Sequence, residues 1–133
     1  MEIIIPHKIR KKEFGGKIPE EAERLFAKIK KTPGLAVTLS APELPSRPSL
    51  HKVYATTENG ARRLLFFSRY PESPASHQPE RWVLLFYRDK ADRVGRNMSS
   101  RNPEFKQQLA RNLVSALEDI AGSTTNAPRF DVR

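Results

Sequence analysis

The chain is expected to fold as a small α+β domain, in which a meander of three antiparallel strands plus a short N-terminal strand packs with an N-terminal helical segment and a C-terminal helix. Three observations carry that expectation. Two aromatic-rich apolar runs, "RRLLFFSRY" and "RWVLLFYRD", flank the proline- and serine-rich gap "PESPASHQPE" and have the length and composition of strands. A further run, "LHKVYATT", precedes them across "ENGA", where Asn59-Gly60 is a hairpin turn signal. On either side of this block, "KIPEEAERLFAKIKKTPG" and "SSRNPEFKQQLARNLVSALEDIAG" repeat apolar residues at helical spacing.

In chain order, "EIIIPHKI" carries β-branched Ile3, Ile4 and Ile5, and Pro6 ends the pairing or confines it to an edge, which gives one short first strand. In the first helical segment Pro19 stands in a first-turn position. Glu20, Glu21 and Glu23 sit at its positive end, Lys28, Lys30 and Lys31 at its negative end, and Gly34 follows as a stop. Ala22, Leu25, Phe26 and Ile29 share one face of it. Residues 35–50 open with an apolar stretch compatible with a strand or a helix end, after which Pro42, Pro45 and Pro48 exclude a continuous regular element.

Strand alternation puts Arg63, Leu65, Phe67 and Arg69 on one face, and Arg62, Leu64, Phe66, Ser68 and Tyr70 on the other. In the next run Trp82, Leu84, Phe86 and Arg88 share a face opposite Arg81, Val83, Leu85 and Tyr87. Both runs are apolar in the middle on both sides, so they read as central strands with arginines at the rim. In the last segment Asn102 is the N-cap, Pro103 the first helical residue, and Gly122 lies just past the end. Its stripe of Phe105, Leu109, Leu113, Ala116, Leu117 and Ile120 should cover one sheet face. Residues 1–122 read as a single domain and the aperiodic 123–133 as a flexible tail.

Composition narrows the function classes. With no cysteine there is no disulfide framework or thiolate site, and His7, His51 and His77 are too scattered to suggest a ligand cluster, so no metal or cofactor is expected. No apolar run approaches the roughly 20 residues that cross a bilayer, and "MEIIIPHKIRKK" places its charges after its apolar run, the wrong order for a secretory signal. A cytoplasmic protein without membrane contact is the simplest reading. The formal charge of +9 makes a polyanion the expected partner, nucleic acid first. Scattered glycines, with no phosphate-cradling loop or nucleophile elbow, argue against nucleotide hydrolases and esterases.

The positive charge is concentrated in the meander and its exit, at Lys52, Arg62, Arg63, Arg69, Arg81, Arg88, Lys90, Arg93 and Arg96. Cleaving RNA by attack of a 2′-hydroxyl on its own phosphate needs a base, cations for the developing phosphorane charge and an acid for the leaving oxygen. Lys52 and His51, with Tyr54 and Tyr87 behind them, are the proton-transfer candidates. Arg62, Arg63, Arg88 and Arg93 are the charge-stabilising ones. His51, Arg69, Arg81, Tyr87, Lys90 and Arg96 complete an expected RNA-binding set.

This order of elements resembles the RelE/ParE superfamily of type II toxins, over roughly residues 17–121. "LHKVYATTENGARRLLFFSR" is similar to that family's Lys-bearing strand, turn and Arg-led second strand, and "RWVLLFYRDKADRVGRN" to its next strand and basic exit. The resemblance implies a RelE-like fold and, for RelE/HigB-like members, a metal-independent, ribosome-associated endoribonuclease that cuts mRNA and inhibits translation until a cognate antitoxin binds it. By position, Lys52 corresponds to the basic residue before the turn and Arg62 or Arg63 to the arginine after it. Lys90, Arg93 and Arg96 correspond more loosely to the basic residues after the last strand. The family's tyrosine near the end of the sheet region has no counterpart after Tyr87, the linker 71–80 is longer than usual, and the last helix is long for a RelE toxin. The alternatives are a ParE-like gyrase poison, which has the same fold without nuclease activity, and a basic nucleic-acid-binding accessory protein.

Overall fold

The computed structural model describes residues 1–35, 37–39, 49–89 and 103–122. A five-stranded sheet lies between helices, which makes the class α+β. Strands β1 (Glu2–Ile4), β2 (Val37–Leu39), β3 (Ser49–Thr56), β4 (Arg62–Tyr70) and β5 (Arg81–Asp89) stand in the order β1-β5-β4-β3-β2. β1 pairs parallel with β5, and the other neighbours are antiparallel. The helices are α1 (His7–Phe14), α2 (Glu20–Lys31) and α3 (Pro103–Gly122). Asn102 and the expected tail 123–133 lie outside the described residues.

The meander β3–β4–β5 is the one expected from its apolar runs, and β4 is central, with Leu64 to Ser68 buried on both sides. The first hairpin closes through a bond from the Thr57 N–H to the Ala61 carbonyl (2.8 Å) and one from the Gly60 N–H to Thr57 (3.0 Å). Gly60 has φ +84°, a conformation that a Cβ would strain, which explains glycine in this loop. The longer linker is itself ordered: Ser73 and Gln78 exchange backbone bonds of 2.9 and 3.0 Å around a 3₁₀ turn at Pro74–Ser76.

Each face of the sheet carries its own core. Ile3, Ile5, Val53, Leu65, Phe67, Trp82, Leu84 and Tyr87 pack beneath α2 and Ile9 of α1. On the opposite face Ile4, Leu50, Leu64, Phe66, Val83, Leu85 and Phe86 pack against Phe105, Leu109, Leu113 and Ala116 of α3. Two-sided burial is why β4 and β5 read as continuous apolar runs.

Four features differ from the sequence expectation. The stretch open to either reading before the three prolines is a 3₁₀ turn, Pro33–Leu35, followed by β2, which extends the sheet beyond β3. Pro19 is the extended N-cap of α2 (ψ 153°) rather than a residue of its first turn, and Gly122 is the last residue of α3. Residues after Pro6 form α1, a helix the β-branched start did not announce, because Ile9 is its one buried apolar residue. Its end was nonetheless marked: Gly15 adopts φ +66°, and the N–H groups of Gly15 and Gly16 bond back to Lys11 and Arg10.

The fourth is a β-bulge. Phe66 pairs with Phe86 but Phe67 pairs with Leu84, leaving Leu85 as an extra residue on β5. Strict alternation therefore fails: Phe86 joins Leu85 on the α3 face, and Tyr87 joins Trp82 and Leu84 on the α2 face. The buried Asn112 amide donates to the Leu85 carbonyl at 2.7 Å, and its Oδ1 accepts from Lys12 Nζ at 3.2 Å. One side chain thus ties α3 to the bulge and to α1. At the other end of α1, the His7 N–H donates to Asp119 Oδ2 (2.7 Å), a cap supplied by α3 where Pro6 has none to offer. No helix among the described residues is long and apolar enough to cross a membrane.

Candidate nucleic-acid interface

The basic residues of the meander do not form one cluster; the pleat and the bulge divide them between two faces. On the α2 face, Arg63 donates through Nε (3.2 Å) and Nη2 (3.1 Å) to Glu21 Oε1, and its Nη1 lies 3.2 Å from Asp89. The Tyr87 hydroxyl donates to the same Glu21 oxygen at 3.1 Å, and its ring packs on Phe14 and Phe26. Burial, reinforced by the Glu21 carboxylate, pushes the Tyr87 phenol well above its ordinary range. Arg63 and Tyr87 clamp α2 to the sheet, and a phenol held in that state is a poor base.

Arg88 is engaged in a second clamp. β1 pairs with β5 only as far as Val83, so the upper edge of β5 needs another partner. Glu13 of α1 supplies it: its Oε1 accepts the Tyr87 N–H and Arg88 Nε, both at 2.9 Å, with its side chain 1% exposed. Burial raises the Glu13 pKa, while those two bonds and the nearby charges pull it back.

At the opposite end of the α2 face, His51 is buried and stacked on Trp82, with centroids 5.1 Å apart and planes 18° from parallel. Burial and then the Arg69 charge lower its pKa, so it is held neutral. Arg69 in turn pairs with Glu80. A cavity of about 650 Å³ between α2 and the β3–β4 hairpin is lined by Glu20, Glu21 and Glu58 along with Arg24 and Lys28. Arg24 bridges Glu20 and Glu58, and the three carboxylates of this lining outnumber its two cations, which makes it a poor site for a phosphate.

The other face is different. Lys52 lies across from Phe66, Tyr54 from Leu64, and Thr56 from Arg62, so Lys52, Tyr54 and Arg62 form a row on the side opposite α2. Successive members are about 7 Å apart along the strands. Tyr54 is 48% exposed and Arg62 is exposed, while Lys52 is half-buried with its Nζ 5.1 Å from the centre of the Tyr54 ring. No ion pair to Lys52 or Arg62 occurs among the described residues. Arg81 shares this face, over the Tyr70 ring at 5.6 Å, but at the far end of β4 from Arg62, about 26 Å away.

Of the residues expected to act together, the fold brings Lys52 and Arg62 onto one open surface. Arg63, Tyr87, His51 and Arg69 are held in internal contacts on the α2 face; Arg88, across from Leu64 on the face of Lys52, is tied to Glu13 at the β5 edge, and Arg81 is distant. Lys90, Arg93 and Arg96 lie outside the described residues. The choice between Arg62 and Arg63, open in the sequence, turns on which is solvated. Glu13 and Glu21, which pair with Arg88 and Arg63, were missed because only the tertiary fold brings α1 and α2 to the sheet.

Comparison with protein-family models, curated proteins and solved structures finds no match. The chemistry of the open row suits phosphate and base: an ammonium and a guanidinium to neutralise phosphate oxygens, with an aromatic ring between them.

Proposed function

We propose that this protein is the toxin of a type II toxin–antitoxin pair, a metal-independent, ribosome-associated endoribonuclease that cuts mRNA in the cytoplasm and is restrained by a cognate antitoxin. The observation that carries this reading is the solvent-facing row of Lys52, Tyr54 and Arg62 on a rigid sheet whose Arg63, Arg69 and Arg88 are paired with carboxylates. The RelE-like resemblance of the sequence is the second ground for this reading. In the step proposed, the RNA 2′-oxygen forms a bond to phosphorus as the bond to the 5′-oxygen breaks, giving a 2′,3′-cyclic phosphate and a 5′-hydroxyl. The 2′-hydroxyl proton leaves to a base and the 5′-oxygen gains a proton. Lys52 is assigned to proton transfer beside the phosphate, and Arg62 to the charge developing on the phosphorane.

The test is to induce the protein in a bacterial host and map RNA 5′ ends, comparing wild type with Lys52→Ala/Arg62→Ala. New ends that vanish in the folded double variant are the expected result. Growth arrest without new ends would overturn the nuclease reading in favour of a gyrase poison, and neither arrest nor ends would leave a basic binding domain.

A further inference from the structure

We propose that Tyr54 is a stacking platform for an unpaired base, so that this surface takes single-stranded RNA and discriminates against a duplex; the inference rests on the proposed ribonuclease reading and names its substrate class. Nearly all the large aromatic side chains of the sheet are buried: Phe66, Phe67, Trp82, Phe86 and Tyr87 all belong to the two cores. Tyr54 alone among the sheet's described aromatic residues leaves about half its surface, 48%, in solvent. Burial does not account for an aromatic residue at this position.

Its neighbours fit a nucleotide. Lys52 Nζ sits over the ring at 5.1 Å, fixing the ring from one side, and Arg62 lies diagonally across on β4. A base stacked on the open side of the ring places its flanking phosphates toward these two cations. Stacking on an aromatic ring tolerates any base, because every base has a π face. It does require the base to be splayed out, which a continuous duplex prevents and an unpaired strand allows at little cost. The contact is to base and sugar-phosphate, and it gives Tyr54 a positioning role: it holds the nucleotide beside Lys52 and Arg62 without exchanging a proton.

The experiment measures binding of a short unpaired 2′-O-methyl oligoribonucleotide, which cannot be cut because its attacking hydroxyl is blocked, and of a 2′-O-methyl hairpin duplex of the same composition. Tyr54→Ala and Tyr54→Phe are compared with wild type, folding being checked by circular dichroism. Tyr54→Ala should weaken binding of the single strand by about 5- to 100-fold, the range of one lost base–aromatic stack. Tyr54→Phe, which keeps the ring, should bind like wild type, and the duplex should bind weakly and without regard to residue 54. Equal single-strand affinity in Tyr54→Ala and wild type would overturn the proposal. So would equal losses in the Ala and Phe variants, which would assign the effect to the hydroxyl, or duplex binding as tight as single-strand binding. The cellular 5′-end map separates this claim from the nuclease reading: ends without Tyr54 dependence of binding sink the stacking role alone, and Tyr54-dependent binding without ends sinks the nuclease alone.

Discussion

The two faces of the sheet are built from the same vocabulary of arginine, lysine and tyrosine, yet they present opposite surfaces. Beneath α2, Arg63 and Tyr87 converge on Glu21, and at the neighbouring edge Arg88 meets a nearly buried Glu13. Across the sheet, Lys52 and Arg62 meet solvent around a half-exposed ring. The difference lies in which acidic residues the helices bring. α1 and α2 deliver carboxylates to the arginines they cover, whereas α3 packs over β5 with an apolar stripe and leaves the outward row of β3 to water. Charge density along the sequence is therefore a poor guide to a binding surface until the counter-charges are placed.

The largest effect should come from breaking the closed side. Glu13→Ala strands the partly buried Arg88 guanidinium and the Tyr87 N–H together, and should lower stability by about 3 kcal/mol, read as a reduced urea midpoint. Next is Asn112→Leu, which orphans the Leu85 carbonyl at the bulge and removes the Lys12 contact. A loss of about 2 kcal/mol is expected in the same measurement, and an unchanged midpoint would mean that the bulge does not need its amide partner.

The comparison sharpens further with pH. The folded-state pKa of His51 lies below its ordinary 6.5, so the unfolded chain binds the proton more readily. The stability His51 contributes is present above pH 6.5 and is lost as pH falls through the folded value. His51→Phe keeps the stack on Trp82 and should remove this component, so that the stability difference between variant and wild type changes across that acidic window. A constant difference would show that the ring is not held neutral.

Much of this fold was legible in the chain. The meander followed from apolar runs bracketed by turn residues, and α2 and α3 from their stripes. α1 was not, since eight residues with a single fully buried isoleucine carry almost no helical period. The bulge was invisible because strict alternation has no term for an extra residue, and it is what moves Phe86 and Tyr87 to opposite faces. For the site, alternation already separated Arg62 from Arg63. Which of the two faces water depended on Glu21, 42 positions from Arg63 in the chain and brought to it by α2 packing.

These two adjacent arginines allow the most direct test. Binding of the uncleavable single strand should be measured for Arg62→Ala and Arg63→Ala under conditions where circular dichroism finds both folded. The account predicts that Arg62→Ala loses about tenfold or more in affinity with its melting temperature unchanged, and that Arg63→Ala binds like wild type while melting earlier. The reverse pattern, with binding lost through Arg63 and untouched through Arg62, would contradict the division of the sheet into a clamped face and an open one.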